Sequence, residues 1–206
     1  MYYWRKNAFN LLAEAAQSAS AVPAWSEYAL FCEALEQGVR KKAFAHLDLF
    51  IEQGSGWPFG RKKEFVSWLY TFISSHDDTY MLLPHPLSEK LVKPVLMSWI
   101  EMEPDDAEPH RWLGTPEHLR EAIRLNPADD IARCRLVETI LRWIGYAVHE
   151  LPHGYLGDPE EDMEVLAEAE AVAAGISDEA RRGLYASQVG EMRAIVIAYM
   201  HRGDAG

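Results

Sequence analysis

Cysteine is nearly absent: Cys32 and Cys134 are the only two in the chain. Two thiols cannot build a disulfide framework, which points to a reducing compartment. Long apolar runs are also missing. The longest stretch that resembles a membrane segment, "AIVIAYM" over 194–200, falls far short of the ~20 residues that cross a bilayer. The opening "MYYWRKNAFNLLAEAAQ" has no apolar core of signal-peptide length. Together these absences predict a cytoplasmic protein that makes no membrane contact. Sustained two-residue alternation between turn dipeptides is lacking as well, which argues against strands. So are several catalytic signatures. "GSGWPFG" (54–60) is glycine-rich but lacks the Gly-Lys-Ser/Thr of a phosphate loop, and no G-x-S-x-G elbow occurs. That segment reads as a flexible connector.

Basic residues are scarce in two places. Residues 1–100 balance ten Lys/Arg against ten Asp/Glu, so the net charge of −12 lies wholly in 101–206. "EMEPDDAE" (101–108) and "DPEEDMEVLAEAE" (158–170) contain acids and no base. Such a surface repels phosphate backbones and excludes nucleic acid as a natural partner. It would attract a basic protein or peptide, although a charge run also serves solubility alone.

What the chain does contain is helical periodicity. In "KEFVSWLYTFI", Phe65, Trp68, Leu69, Phe72 and Ile73 recur at i, i+3, i+4, i+7 and i+8. In "LVKPVLMSWIEM", Val92, Val95, Leu96, Trp99 and Ile100 do the same. Both are amphipathic stripes facing a core. Breaks at Gly and Pro separate about eight to nine helices, over roughly 3–19, 24–37, 39–53, 61–75, 87–102, 116–125, 129–151, 160–174 and 178–202. Pro94 predicts a kink or a late start in its helix. Ser177 is the expected N-cap of the last one. Short loops imply antiparallel helical hairpins. The expected fold is all-α, a solenoid or an irregular helical bundle, in one domain over 1–206 with a neutral half (1–102) and an acidic half (103–206). Seven Trp and nine Tyr serve cores and interfaces alike.

Three segments carry a further pattern. "EAIRLNPADDIARCRL" (121–136) has Ala122 and Pro127, "EPDDAEPHRWLG" (103–114) has Pro104, Leu113 and Gly114, and "GVRKKAFAHLDLF" (38–50) has Gly38, Ala43 and Leu47. These positions resemble the small, apolar and closing-Pro positions of tetratricopeptide repeats. Pro104 and Pro127 stand 23 apart, against a family period of about 34. The resemblance is therefore partial and degenerate. It implies stacked helical hairpins and a protein-binding role.

One catalytic signature does occur. His149-Glu150-Leu151-Pro152-His153 fits H-E-x-x-H, in which two histidines one helical turn apart hold zinc and the Glu acts as base. The proline inside it speaks against that use. Pro152 removes a helix hydrogen bond and clashes with the preceding turn, and it pushes Leu151 out of the α region. On the wheel of the 129–151 helix, Leu136, Ile140, Ile144, Ala147, Val148 and Leu151 share one arc of about 120°, the expected buried stripe. His149 falls with Glu138 and Arg142 at about 200–240° from Leu136, on the charged face. No third ligand follows at the metzincin spacing, where Leu156 and Pro159 stand instead. No catalytic residue, metal or cofactor is therefore assigned.

The expected activity is non-enzymatic binding of a basic protein, with a bacterial immunity or antitoxin protein as one form. Its candidate contact residues are Trp112, His153, Tyr155, Asp158, Glu160, Glu161 and Asp162. The alternatives are a metal-dependent hydrolase using His149, Glu150 and His153, and a structural homodimer subunit built on the terminal helix.

Overall fold

The computed structural model describes residues 6–203, with side chains over 10–201. Among the described residues the fold is all-α, without strands. Its helices are α1 (Lys6–Ser20), α2 (Ser26–Glu36), α3 (Arg40–Ser55), α4 (Phe59–Ser74), α5 (His85–Leu87), α6 (Lys93–Met102), α7 (Ala107–Leu113), α8 (Pro116–Leu125), α9 (Asp130–Val148), α10 (Pro159–Ala174) and α11 (Glu179–Gly203). A π-helical segment, Ser88–Val92, joins α5 to α6, so 85–102 is one continuous rod. No helix of the described residues is long and apolar enough to cross a membrane.

The chain divides into two compact units, Met1–Pro104 and Asp105–Gly206, rather than around a single centre. The change of charge drawn from the sequence at 102/103 falls beside this boundary.

In the first unit α1 packs on α2, α2 on α3, and α4 on α6. An aromatic cluster fills the space between them. Phe65 lies 4.7 Å from Phe50, 5.3 Å from Tyr28 and 5.5 Å from Trp25, centroid to centroid. Offset and edge-on contacts of this kind suit aromatic quadrupoles. Tyr28, fully buried, donates its hydroxyl to the Leu82 carbonyl at 2.7 Å, which satisfies the one polar atom the ring brings inside. Glycine at position 54 leaves room for the Leu91 side chain, which would stand 3.1 Å from a β-carbon there and would have to give way. Just before Pro94 the rod widens into the π segment. Pro94 cannot donate to the preceding turn, and its ring needs room there. Passing briefly to the wider π spacing provides that room. The irregularity expected from Pro94 is thus a π turn.

The second unit is a hairpin, α7–α8, followed by α9, which packs against α8, α10 and α11. Leu119, Leu136, Ile140, Ile144, Leu166 and Val189 belong to its core. The expected α9 stripe is buried at Leu136, Ile140, Ile144 and Ala147 and half-buried at Val148 and Leu151.

Each helix of this unit opens on a side-chain cap. Asp106, Thr115, Asp129 and Asp158 accept the backbone N–H of Glu108, His118, Ala132 and Glu160. Such caps satisfy N–H groups that the helix itself cannot. At α11 the cap is Asp178, which accepts the Arg181 N–H at 3.0 Å. Ser177, the expected cap, is instead held from the side, its N–H donating to the Asp130 carboxylate at 3.0 Å. The helix α7 has no counterpart among the sequence-based spans. Pro109 stands in its first turn, where prolines are tolerated because those N–H groups need no helical partner.

The second unit contains ten Arg, no Lys and twenty Asp/Glu. Its guanidinium groups act as braces. Arg133 reaches the carbonyls of Pro127 and Val172, Arg135 that of Arg111, and Arg182 that of Ile176. Arg120 forks onto Glu168 at 2.6 and 2.8 Å, a planar two-bond geometry that an ammonium cannot copy.

Candidate functional site

The H-E-x-x-H segment lacks the helix it requires. Helix α9 ends at Val148, three residues short of the expected Leu151, and His149 is its C-cap. The His149 ring hydrogen-bonds the Tyr146 carbonyl through Nδ1 at 2.5 Å, and its Nε2 lies 3.0 Å from the Glu150 carboxylate. Both ring nitrogens are thereby engaged within residues 146–150. His153 stands beyond, in a turn closed by its own N–H on the Glu150 carbonyl at 2.8 Å. The two histidines therefore do not share one face of a helix. Among the described residues no group of three or more His, Cys, Asp or Glu is placed to hold a metal ion.

The connector 149–158 is ordered from both sides. Leu156 donates its N–H back to Ala147 at 2.9 Å. Tyr155 stacks on Tyr199 of α11 at 5.0 Å and donates its hydroxyl to Asp162 at 2.6 Å. Burial, then the Asp162 carboxylate, push the Tyr155 phenol well above its ordinary range, so it remains a donor.

The seven candidate contact residues therefore separate. His153, Asp158, Glu160 and Glu161 are exposed, and Tyr155 is half-buried. Trp112 and Asp162 are interior, contrary to the expected surface role. Trp112 donates to Glu108 at 3.1 Å and lies under Arg111 and Arg135. Asp162 is the acceptor for Tyr155. Leu156, beside it in the connector, is 40% exposed.

The feature that sequence reasoning missed is a groove of about 500 Å³ between α8, α9 and α10. Its floor is apolar, from Pro116, Ile140 and Val165. One wall is the pair Trp143 and Tyr146, each 62% exposed, and the His149 ring continues that wall by stacking on Tyr146 at 4.9 Å. Large aromatics left in water beside an apolar floor are the usual mark of a contact site. Two cations line the groove. Arg120 is neutralised by Glu168. Arg142 is exposed and makes no hydrogen bond, ion pair or ring contact among the described residues. Among the described residues no carboxylate lines the groove.

A second polar cluster sits in the α7–α8 hairpin. The Nδ1 atoms of His110 and His118 are 2.9 Å apart. One ring must donate and the other accept, so the contact requires at least one neutral imidazole. His110 is buried, and burial first, then His118, lower its pKa, with Arg124 acting in the same direction and Glu121 and Asp106 opposing. A histidine depressed in the folded state binds its proton first in the unfolded chain. Stability is therefore full above the ordinary histidine value of about 6.5 and falls as pH drops toward the lower folded value. Urea midpoints between about pH 7.5 and pH 5 should show that decline, with a shallower one in His110→Gln. Equal slopes for both proteins would remove His110 as its source.

Compared with known proteins, the chain matches no protein-family model, no curated protein and no solved structure.

Proposed function

We propose that the chain is a non-catalytic binding module of the cytoplasm that engages a basic protein or peptide through its second unit. The observation that carries this reading is charge: twenty Asp/Glu against ten Arg over 105–206, with Asp158, Glu160, Glu161 and Glu164 exposed along one end of α10. A field of that sign speeds encounter with a cationic surface and disfavours nucleic acid. Hairpins like those of tetratricopeptide repeats, which the sequence resembles in part, are suited to holding such a surface rigidly. A bacterial immunity protein that neutralises a cationic toxin is one concrete form.

The test begins with capture of partners from the native cell on the immobilised chain. Affinity for each captured basic protein is then measured at about 50 and about 500 mM salt, on either side of the screening expected near 150 mM. Salt should weaken binding at least tenfold, and Glu160→Lys combined with Glu161→Lys should cost roughly tenfold at low salt. Asp162 is left unchanged because it supports Tyr155 from inside. Affinity indifferent to both salt and charge reversal would discard the reading.

A further inference from the structure

We propose that the groove between α8, α9 and α10 is a binding site for a small carboxylate with an aromatic or branched apolar body. This inference concerns a different chemistry from the basic partner and does not rest on it.

Three observations carry it. The groove holds about 500 Å³, within the roughly 300–1,000 Å³ typical of small-molecule sites. Its floor and the exposed ring of Trp143 offer apolar surface for a flat or branched body, with Tyr146 beside it. Its charge is opposite to that of the unit around it. The Arg120–Glu168 pair is neutral, and among the described residues Arg142 has no partner and no acid lines the walls. Arg111, Arg120, Arg124, Arg133, Arg135, Arg182 and Arg193 each hold a carboxylate or a carbonyl; Arg142 has no such acceptor among the described residues. A free planar fork beside an aromatic shelf matches one ligand carboxylate, bound in two parallel hydrogen bonds. A cationic group entering the same groove would meet Arg142 with no lining acid to offset it.

The site can be probed with 2-naphthoate and its neutral isostere 2-naphthamide, followed by titration calorimetry and by nitrogen-15 spectra of the Trp indole and Arg Nε–H groups. In the unaltered protein naphthoate is expected to bind more tightly than the amide and to shift the Trp143 indole signal, assigned by its loss in Trp143→Phe. Arg142→Gln should weaken naphthoate roughly tenfold or more while leaving naphthamide unchanged. Arg142 is exposed and has no partner among the described residues, so this variant keeps its fold, which circular dichroism verifies. Trp143→Ala should weaken both probes. Equal affinity for acid and amide would overturn the proposal, as would an Arg142→Gln protein that binds naphthoate undiminished, or no binding at millimolar probe. A peptide with a free C-terminus binding more than tenfold better than naphthoate would also overturn it, by assigning the groove to chain ends.

Discussion

Asp129→Ala should lower the stability of the second unit by about 3–4 kcal/mol, the largest effect expected of any single carboxylate here. Asp129 is 5% exposed and serves two groups at once. Its Oδ1 accepts the Ala132 N–H at 2.9 Å at the start of α9, and its Oδ2 accepts Arg111 Nε at 2.7 Å. Losing the cap alone costs about 1 kcal/mol. Leaving a half-buried guanidinium without its carboxylate costs more, because the cation cannot fully regain water. The Arg111 side chain retains 18% exposure, so some rehydration holds the total at the lower end of the range for broken buried pairs. Asp129→Asn keeps an acceptor for Ala132 and should recover about 1 kcal/mol of the loss. Urea unfolding of the three proteins decides the matter. An alanine variant within about 1 kcal/mol of the parent would show that the pair is dispensable.

Phe65→Ala in the first unit should cost about 3–5 kcal/mol. The ring is fully buried at the meeting point of Trp25, Tyr28, Phe50, Trp57 and Trp68. Removing it leaves a cavity whose walls are rigid rings from several helices, which cannot collapse to fill it. Phe65→Leu restores most of the volume and should cost less than about 2 kcal/mol. The near-ultraviolet dichroism should also change in the alanine variant, because Trp25 and Trp68, 5.1 Å apart, both pack on the lost ring. A near-parent midpoint with unchanged aromatic dichroism would mean that the cluster does not depend on this ring.

Helices were the legible part of the sequence, because a 3.6-residue stripe is a local pattern that the core then enforces. A cap is plain in a sequence where a strong capping residue meets a strong start, as Asp158 meets Pro159. At Ser177-Asp178 it was not, since both side chains can cap and the choice fell to Asp130, distant in sequence, which holds Ser177. Helix α7 escaped because Pro109 is a breaker inside a helix and harmless in its first turn, and only the start position distinguishes the two. The π turn before Pro94 was visible as a disturbance but not as a kind. The groove was out of reach: Pro116, Ile140 and Val165 come from three helices. The only local signal was the aromatic pair Trp143 and Tyr146 at i and i+3, and on the wheel Trp143 lies about 20° from the buried Leu136. Whether such a ring faces core or water depends on the neighbouring helices.

The arginine bracing of the second unit has a practical consequence for chemical modification. Every lysine of the chain lies at or before Lys93, within the first unit. Side-chain reagents directed at amines, whether a biotin ester, a lysine crosslinker or a cellular acyl or ubiquitin donor, therefore find no target beyond that point. Coupled through its lysines, the chain attaches by its first unit and presents Arg142, Trp143 and the acids of α10 chemically untouched.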